Sequence, residues 1–382
     1  MQSTLAKLAL CRTPALGDHR YRCDQCDHTC TVFNSCGDRH CPQCAGAKRA
    51  DWLDSTAKLL LPNLDYFQVV FTMPDQLSSL ALGNRRAMLD LLFRSAWRSL
   101  KQVVEDEQQF EAAAAMVLHT WNQKLDSHVH VHALVPGGGP SLRQPGTWKN
   151  SRPPLRVRQD RPWLVDADVL RVKFRDRFLD GLRLLHAQGE LKLTDEWFHL
   201  KDKPAFDDWL KPFEQISWVT YIQKPPQDSS PEHVLKYLAR YMTGGPISDR
   251  RLVSHDDGIV TFSARTGKTH GGSDETEDVP LSGVEFVRRR SLHILPKGYT
   301  KTRRFGGYSN HHRERYIAEC RALLTTDGSA PVTAGDAELN ELRSQHLCPT
   351  CHLPLRIVSR TNRPGWSIVM NSPYRPHWYN DG

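Results

Sequence analysis

The sequence lacks the long apolar segments that place a protein in or across a membrane. No stretch of its 382 residues approaches the roughly 20 consecutive apolar residues that a membrane-spanning helix needs. The N-terminus also lacks a basic region followed by an apolar segment and a cleavage site. We therefore expect a cytoplasmic protein without a membrane partner. In this reducing compartment its ten cysteines are predicted to be metal ligands rather than disulfides.

The sequence also lacks the composition of a disordered chain, because 39% of its residues are hydrophobic. A chain of this length and hydrophobic content can supply a sizeable core and two or three domains. Its charges are unbalanced, since 51 lysines and arginines exceed 43 aspartates and glutamates and give a net charge of +8. This excess favours an anionic partner such as nucleic acid, although simple solubility explains it equally well.

Seven of the ten cysteines lie within the first 44 residues. Cys23-Asp-Gln-Cys26 and Cys41-Pro-Gln-Cys44 are two Cys-x-x-Cys motifs separated by 14 residues, close to the spacing of a zinc ribbon. We predict a zinc-binding domain over residues 1–50, in which these four thiolates surround one ion. Further side chains could hold a second zinc ion: Cys11, His19, Cys36 and His40, with His28 and Cys30 as competing ligands.

A further Cys-x-x-Cys motif stands far from the others, in Cys348-Pro-Thr-Cys351-His352. It follows a linker rich in Thr, Asp, Gly and Ala near residues 325–338. It has no second Cys-x-x-Cys pair near it in the sequence, so it supplies two or three of the four ligands that zinc needs. We therefore predict a separate C-terminal tail over residues 339–382.

Three histidines alternate along a predicted strand in Ser-His-Val-His-Val-His, residues 127–132. Because successive side chains of a strand point to opposite faces, His128, His130 and His132 share one face, while the intervening valines face the core. Two imidazoles can bind a divalent cation together, and a third group from a neighbouring element would leave a position open for a phosphate oxygen. Alternating histidines are also common as hydrogen-bonded surface residues.

Two tyrosines share a predicted helix over about residues 231–243, between Pro231 and a Gly-Gly-Pro break. His233, Tyr237 and Tyr241 follow one another at i, i+4 and i+8, so both phenols can reach one site. A tyrosine pair with this spacing is more often part of a core than of a catalytic site.

Basic residues accompany the tyrosines on the same predicted helix. Lys236 and Arg240 form a stripe that suits phosphate groups beside a tyrosine that must lose its proton. The histidine strand and the tyrosine helix occur in one chain with these cations around them. The combination therefore favours a metal-assisted tyrosine nuclease over the separate explanations.

Strands and helices are predicted to alternate through the middle of the chain, over residues 63–325. The expected strands are 66–72, 114–121, 127–135, 216–222 and 258–265, and the expected helices are 84–104 and 168–186. Asn84 is expected to cap the first of these helices. The predicted fold class is α+β, an antiparallel sheet with flanking helices joined to an N-terminal zinc-ribbon-like module.

Basic residues alternate with aromatic ones between residues 286 and 321. Cations that follow a DNA backbone, with aromatic rings on which unpaired bases stack, are typical of single-stranded DNA binding. We expect Arg288, Arg303, Arg304 and Tyr308 to serve in this way. A merely solvated charged surface is the alternative.

Five stretches resemble the rolling-circle transposases of the insertion sequence 91 family: Cys11-Arg-Thr-Pro-Ala-Leu-Gly, Asn34-Ser-Cys-Gly-Asp-Arg-His-Cys-Pro-Gln-Cys, Val70-Phe-Thr-Met-Pro, His130-Val-His-Ala-Leu-Val-Pro-Gly-Gly-Gly and Tyr237-Leu-Ala-Arg-Tyr. The resemblance covers most of the chain. It implies an N-terminal zinc-binding domain and a nuclease core of the His-hydrophobic-His type. The metal pair would then be His130 and His132, and the nucleophiles Tyr237 and Tyr241.

The resemblance also implies that single-stranded DNA at transposon ends and targets is cut and rejoined through a 5′-phosphotyrosine link. We expect Mg²⁺ or Mn²⁺ as the catalytic ion, structural Zn²⁺, and a bacterial location at the nucleoid. His128 and His233 are both candidates for the third ligand of the catalytic ion. The sequence is compatible with a homo-oligomer. Alternative functions are a plasmid replication initiator or relaxase with the same core, and a zinc-dependent DNA-binding regulator whose core is inactive.

Overall fold

The computed structural model describes residues 2–44, 55–61, 64–159, 161–223, 245–266, 275–325 and 346–370. The chain divides into two compact units. Unit 1 comprises Met1–Asp51, Ile247–Leu252 and Val332–Gly382, and unit 2 comprises Trp52–Pro246 and Val253–Pro331. The segment predicted as the tyrosine helix lies outside the described residues, and with it the predicted site residues His233, Lys236, Tyr237, Arg240 and Tyr241.

The strands of the described residues are, in chain order, β1 Asp18–Arg22, β2 Thr29–Phe33, β3 Tyr66–Thr72, β4 Ala113–Trp121, β5 Ser127–Pro136, β6 Gly138–Pro140, β7 Trp148–Asn150, β8 Val219–Gln223, β9 Leu252–Asp256, β10 Ile259–Arg265, β11 Thr276–Ser282, β12 Thr302–Gly306 and β13 Arg356–Arg360. The α-helices are α1 Gln2–Ala9, α2 Ser78–Gly83, α3 Arg85–Gln108, α4 Ala167–Ala187, α5 Lys203–Gln215, α6 Gly283–Ser291, α7 Arg313–Thr325 and α8 Trp366–Met370. None of these helices combines the length and the apolar character that crossing a bilayer requires.

Unit 2 is built on a five-stranded sheet in the order β12-β4-β5-β3-β8. Every neighbouring pair in this sheet is antiparallel, which confirms the predicted α+β class. Strands β4 and β5 form the expected hairpin, in which His119 lies directly opposite His130 and Val117 opposite His132. Strand β3 covers the predicted residues 66–72, whereas β8 begins at Val219 rather than at the predicted residue 216.

One face of this sheet is covered by helices. Val129 and Val131 of β5 belong, as predicted, to the main hydrophobic core, which also contains Phe93 of α3 and Phe174 of α4. Phe174 packs edge-on against Phe71 of β3, with ring centroids 5.1 Å apart. Burial of each such side chain contributes about 1.5–3 kcal/mol. The helices therefore cover the face of the sheet opposite to the one that carries the histidines.

The opposite face of the sheet is divided between apolar and polar residues. At one end Tyr66, Ala115, Leu134 and Tyr308 belong to a second buried cluster. The alternation of β4 and β5 continues towards the other end of this face, where it presents histidine side chains instead. This face of the sheet is therefore packed with apolar side chains at one end and lined with imidazoles at the other.

The start of helix α3 differs from the expectation in one respect. Asn84 stands immediately before the helix, but its side chain makes no capping hydrogen bond. Its amide instead bridges two segments: Nδ2 donates to the carbonyls of Leu80 and Lys192, and Oδ1 accepts from the Lys192 backbone N–H at 2.6 Å. The Asn84 side chain thus ties the start of α3 to the segment at Lys192 instead of capping the helix.

The sheet of unit 1 contains strands from both ends of the chain. Its order is β13-β1-β2, and both pairings are antiparallel. Arg22 of β1 lies opposite Arg356 of β13, and His19 lies opposite Arg360. The segment that we expected to form a separate C-terminal tail therefore supplies an outer strand of the N-terminal module. Pairing satisfies the backbone groups that would otherwise leave β1 as a bare edge.

Candidate metal centres

Three histidine side chains converge on the face of the five-stranded sheet opposite the main core. His119 from β4 and His130 and His132 from β5 each offer a ring nitrogen, and these atoms all lie within 4.8 Å of one another. The hairpin register places His119 opposite His130, and the period of the strand brings His132 onto the same face. Three imidazoles in this arrangement fit one divalent cation and leave further coordination positions for other ligands.

The hydrogen bonds of His130 prepare its ring for metal binding. Its Nδ1 lies 2.9 Å from the backbone carbonyl of His128, so Nδ1–H donates and the lone pair remains on Nε2. Metal-bound histidines commonly donate their other ring N–H to a carbonyl oxygen in this way.

His132 has a comparable contact with a buried amide. Its Nδ1 lies 2.6 Å from Nε2 of Gln68, a residue of β3 that is only 5% exposed. The Oε1 of Gln68 is buried without a hydrogen-bond partner. A half-turn of the amide presents Oε1 to His132, which can then donate from Nδ1 and keep its Nε2 lone pair for a cation.

Burial keeps these rings in the form that binds metal. It lowers the pKa of His132 to about 4, and the nearby charges of Lys301 and His128 act in the same direction. The pKa of His130 is also well below its ordinary value, because of burial first and the neighbouring His132 second. Both imidazoles are therefore neutral near pH 7, as metal ligands must be.

His128 stands apart from this cluster, although it was one of two predicted candidates for the third ligand. Its Nδ1 pairs with Asp75 Oδ1 at 3.1 Å, and its ring nitrogens are not among those that converge. Within the described ranges, His119 supplies the third converging ring nitrogen. The sequence did indicate that His119 lies near the site, because its strand was predicted to form a hairpin with the histidine strand. Only the pairing register shows that His119 is the residue opposite His130.

An aromatic and a basic side chain border the histidine cluster. The ring of Trp121 stacks on His119 with a centroid distance of 4.7 Å, and Lys301 Nζ lies 4.9 Å from the Trp121 ring centroid. On the other side, Tyr221 of β8, Val70 of β3 and His132 are directly opposite one another across three strands. Tyr221 therefore shares the histidine face, two residues before the end of β8.

The predicted DNA-binding residues between 286 and 321 do not form one surface. Arg303 pairs with Asp90 and lies 4.4 Å from the Phe93 ring centroid, on the helical side of the sheet. Arg304 points to the opposite side and donates to Ser55 Oγ at 3.1 Å. These two arginines alternate because they are consecutive residues of a strand. They cannot follow one DNA backbone side by side.

Of the two other predicted DNA contacts, one side chain is exposed and one is buried. Arg288 on α6 is exposed and pairs with Glu285 one turn earlier, so it remains a candidate for phosphate binding. Tyr308 is 0% exposed and contacts Tyr316 inside the second cluster. The prediction that the Tyr308 ring stacks on bases is therefore wrong, because packing against α7 removes the ring from solvent.

His293 connects α6 to the turn of the β4–β5 hairpin. Its Nε2–H donates to the Leu125 carbonyl at 3.0 Å, and its Nδ1 accepts from the Thr120 hydroxyl at 3.1 Å. The ring is 3% exposed, and burial lowers its pKa to about 4. The neutral ring thus satisfies both hydrogen bonds, whereas a charged ring would have to leave water and enter this buried position.

We expect the stability of the protein to fall as the pH decreases from about 6.5 to about 4. In this window the unfolded chain binds a proton at His293 that the folded chain does not, because burial lowers the folded-state pKa to about 4, below the ordinary value of 6.5. At 1.36 kcal/mol per pKa unit, this residue removes about 3 kcal/mol of unfolding free energy across the window. Urea unfolding of the metal-free protein at a series of pH values measures the slope.

The test variant is His293→Gln, and the matched control is His199→Gln. For each, the slope of the unfolding free energy against pH is compared with that of the wild type. His199 is exposed, so its ring contacts water in the folded and the unfolded protein. The His293 variant should show a shallower loss of stability on acidification, and the His199 variant should follow the wild type. Equal slopes in all three proteins would contradict this role of His293.

Four cysteines form a buried cluster in unit 1. Cys11 follows α1, and Cys36, Cys41 and Cys44 come from the loop after β2. The Cys44 sulfur lies 3.5 Å from that of Cys11 and 3.6 Å from that of Cys36. A tetrahedral thiolate site for zinc needs this number and closeness of sulfurs.

This cluster corrects the predicted grouping of zinc ligands. Cys41 and Cys44 do not join Cys23 and Cys26, which lie instead beside Cys348 and Cys351. Nor does His40 join the sulfurs: its Nδ1 lies 3.0 Å from Asp38 Oδ1 within the same loop. Cysteine spacing along the chain could not reveal that the loop folds back onto α1.

Two sequence-family models match the chain. One, described as "Transposase zinc-binding domain", covers residues 1–73. The other, described as "Putative transposase", covers residues 114–315 and so includes the three converging histidines and both predicted tyrosines. The protein is thus a transposase with an N-terminal zinc-binding domain.

Two curated relatives are similar over most of their length. "Putative transposase y4qJ" of Sinorhizobium fredii strain NBRC 101917 / NGR234 is 37% identical over 358 residues, 91% of this chain and 86% of that protein. "Transposase for insertion sequence element IS801" of Pseudomonas savastanoi pv. phaseolicola is 28% identical over 334 residues, 86% of this chain and 75% of that protein. The chain belongs to the insertion sequence 91 family of transposases. No solved structure shows a significant match.

Proposed function

We propose that this transposase cuts and rejoins single-stranded DNA through a 5′-phosphotyrosine intermediate during rolling-circle transposition. The observation that carries the proposal is the convergence of His119, His130 and His132 on one face of the sheet. The chain leaves this sheet at the end of β8 and enters the segment that contains Tyr237 and Tyr241. A metal-binding face is therefore followed in the chain by two potential nucleophiles.

The three histidines would hold Mg²⁺ or Mn²⁺ through ring nitrogens. The cation, when bound, polarises the scissile phosphate and offsets the negative charge that develops on it. The protein residues supply the rest of the site. Burial keeps the imidazoles of His130 and His132 neutral, and the partners of their Nδ1 atoms fix how these two rings point.

The covalent step uses a tyrosine of the segment after β8. The phenolate oxygen of Tyr237 or Tyr241 attacks the phosphorus, the bond from phosphorus to the 3′ oxygen breaks, and this oxygen takes up a proton. The new phosphotyrosine ester retains the energy of the phosphodiester, so a free 3′-hydroxyl can later reverse the step. A second tyrosine allows a second transfer before the first DNA end is released.

The substrate in this proposal is single-stranded DNA at the transposon ends and the target. Lys301 beside Trp121 places a positive charge at the edge of the histidine cluster, where a phosphate of the bound strand would lie. Exposed Arg288 adds a second cation. We propose that the protein acts in the bacterial cytoplasm, at the nucleoid, alone or as a homo-oligomer.

Incubation with single-stranded oligonucleotides from the ends of the encoding element tests the proposal. A 3′-labelled oligonucleotide should yield a labelled protein that survives denaturing electrophoresis, because the protein retains the 5′-phosphate fragment. A 5′-labelled oligonucleotide should yield a short free fragment. Both products should require Mg²⁺ or Mn²⁺ and disappear with EDTA.

Other results would identify the alternatives. A label retained from the 5′-labelled strand would mean the opposite polarity of attachment. Specific DNA binding without any adduct would indicate a zinc-dependent regulator. An adduct formed at a plasmid origin but not at the element ends would indicate a replication initiator or relaxase.

A further inference from the structure

Four cysteine sulfurs from opposite ends of the chain meet in unit 1. The Cys23 sulfur lies 3.4 Å from that of Cys351, and the Cys26 sulfur lies 3.5 Å from that of Cys348 and 3.8 Å from that of Cys351. In a tetrahedral site with zinc–sulfur bonds of about 2.3 Å, neighbouring sulfurs are about 3.8 Å apart. The distances between these sulfurs are thus close to those between the ligands of one zinc ion.

The two Cys-x-x-Cys segments have the same backbone conformation. In the first, the Cys23 N–H donates to the His28 carbonyl at 2.8 Å, and the Asp27 N–H donates back to the Cys23 carbonyl at 3.1 Å. In the second, the Cys348 N–H donates to the Leu353 carbonyl at 2.8 Å, and the His352 N–H donates to the Cys348 carbonyl at 2.9 Å.

The similarity extends to the residue after each motif and to the sulfurs. Asp27 and His352 both adopt left-handed backbone conformations, with φ of 54° and 59°. Backbone N–H groups of Cys26 and Gln25 hydrogen-bond the Cys23 sulfur, and those of Cys351 and Thr350 hydrogen-bond the Cys348 sulfur. These donors stabilise a thiolate over a thiol. Both segments therefore have the turn that presents two thiolates to one metal ion.

Contacts around the sulfurs hold the two ends of the chain together. The Thr361 N–H donates to the Asp18 carbonyl at 2.7 Å, and Arg356 pairs with Asp24 at 3.1 Å. Gly17 has a φ of 78°, and a Cβ at this position would lie 2.5 Å from the Thr361 carbonyl oxygen. A side chain at position 17 would thus clash with the C-terminal segment. The glycine at position 17 therefore leaves the space that the C-terminal segment near Thr361 occupies.

We propose that Cys23, Cys26, Cys348 and Cys351 bind one zinc ion that joins the N-terminal and C-terminal segments into a single zinc ribbon. The family match to a zinc-binding domain ends at residue 73, so two of the four ligands lie outside it. This ion is separate from the one that Cys11, Cys36, Cys41 and Cys44 can hold. The cysteine clusters of unit 1 therefore take two zinc ions, of which the second depends on both ends of the chain.

Zinc content of the full-length protein and its paired cysteine variants tests this assignment. Cys23→Ser/Cys26→Ser should lose one zinc per chain, and so should Cys348→Ser/Cys351→Ser. The variant with all four replacements should also lose only one, since both pairs serve the same ion. Combining Cys348→Ser/Cys351→Ser with Cys41→Ser/Cys44→Ser should lose two. The control Cys30→Ser should lose none.

The same measurements contain the results that would overturn the proposal. A loss of two zinc ions in the variant without Cys23, Cys26, Cys348 and Cys351 would mean two separate sites. No loss on replacing Cys348 and Cys351 would remove the C-terminal ligands. Loss of only one zinc ion in a further variant without Cys23, Cys26, Cys41 and Cys44 would restore one N-terminal four-cysteine site.

Alkylation of the unaltered protein avoids any folding defect of the variants. Cys348 and Cys351 should resist iodoacetamide while zinc is bound, and should react together with Cys23 and Cys26 after a chelator removes it. Peptide mass spectrometry identifies the modified residues. Reaction of Cys348 and Cys351 before zinc is removed would contradict the proposal. Resistance that persists with chelator and ends only with a reductant would show disulfides instead of a zinc site.

Discussion

The double variant Tyr237→Phe/Tyr241→Phe is expected to lose the covalent protein–DNA adduct, by on the order of 10³-fold or more. Phenylalanine keeps the ring but removes the only oxygen that can attack the phosphate. The single variants should differ from each other. One should lose the first cleavage, and the other should cleave but fail to pass the strand to a second acceptor. Denaturing gels with 3′-labelled oligonucleotide measure cleavage, and two-substrate reactions measure transfer.

Tyr221→Phe is the matched control for the tyrosine variants. The same hydroxyl group is removed in this variant, and the position of Tyr221 on β8 places it on the histidine face of the sheet. This variant should form the adduct with the wild-type polarity. Loss of the adduct in Tyr221→Phe, with normal adduct in the double variant, would assign the nucleophile to β8 and reject Tyr237 and Tyr241.

His119→Ala is expected to reduce metal-dependent cleavage at limiting Mn²⁺ by at least about 100-fold, since partners of metal ligands alone cost 10–100-fold. His119 provides one of three converging ring nitrogens, and its loss leaves His130 and His132 to hold the cation. Weaker binding should be partly overcome at high Mn²⁺. Calorimetric Mn²⁺ titration and single-turnover cleavage over a range of Mn²⁺ concentrations measure both effects.

His128→Ala is the control. His128 lies on the same strand as His130 and His132 and on the same face, but its ring pairs with Asp75. It should bind Mn²⁺ with nearly the wild-type affinity. The structural assignment would be rejected if His128→Ala lost Mn²⁺ binding and His119→Ala kept it. A variant that loses cleavage while binding Mn²⁺ normally would give His119 a role other than metal ligand.

The histidine face was predictable because it depends on local geometry. The alternation of His128 to His132 with valines defines a strand and its buried side, and the main core contains Val129 and Val131 as expected. The third ligand depends instead on the register between β4 and β5. A shift of one residue would turn His119 away from His130, and the sequence of the turn did not fix that register.

Long-range pairing and packing explain the other differences between prediction and structure. Sequence spacing favoured Cys41 and Cys44 as partners of Cys23 and Cys26, but the strand pairing of β1 with β13 brings Cys348 and Cys351 to them. Likewise, the basic and aromatic composition around Tyr308 indicated a DNA surface. Packing of the same segment against the sheet buries that ring.

The interleaving of the chain ends in unit 1 has a consequence for biosynthesis. A ribosome that has released β1 and β2 must still translate several hundred codons before β13 emerges to pair with β1. Until then the nascent chain carries an open strand edge, which is prone to pair with other polypeptides. A gene copy truncated near its 3′ end therefore encodes a product in which β1 never gains this partner strand, even when every codon for residues 1–50 is intact.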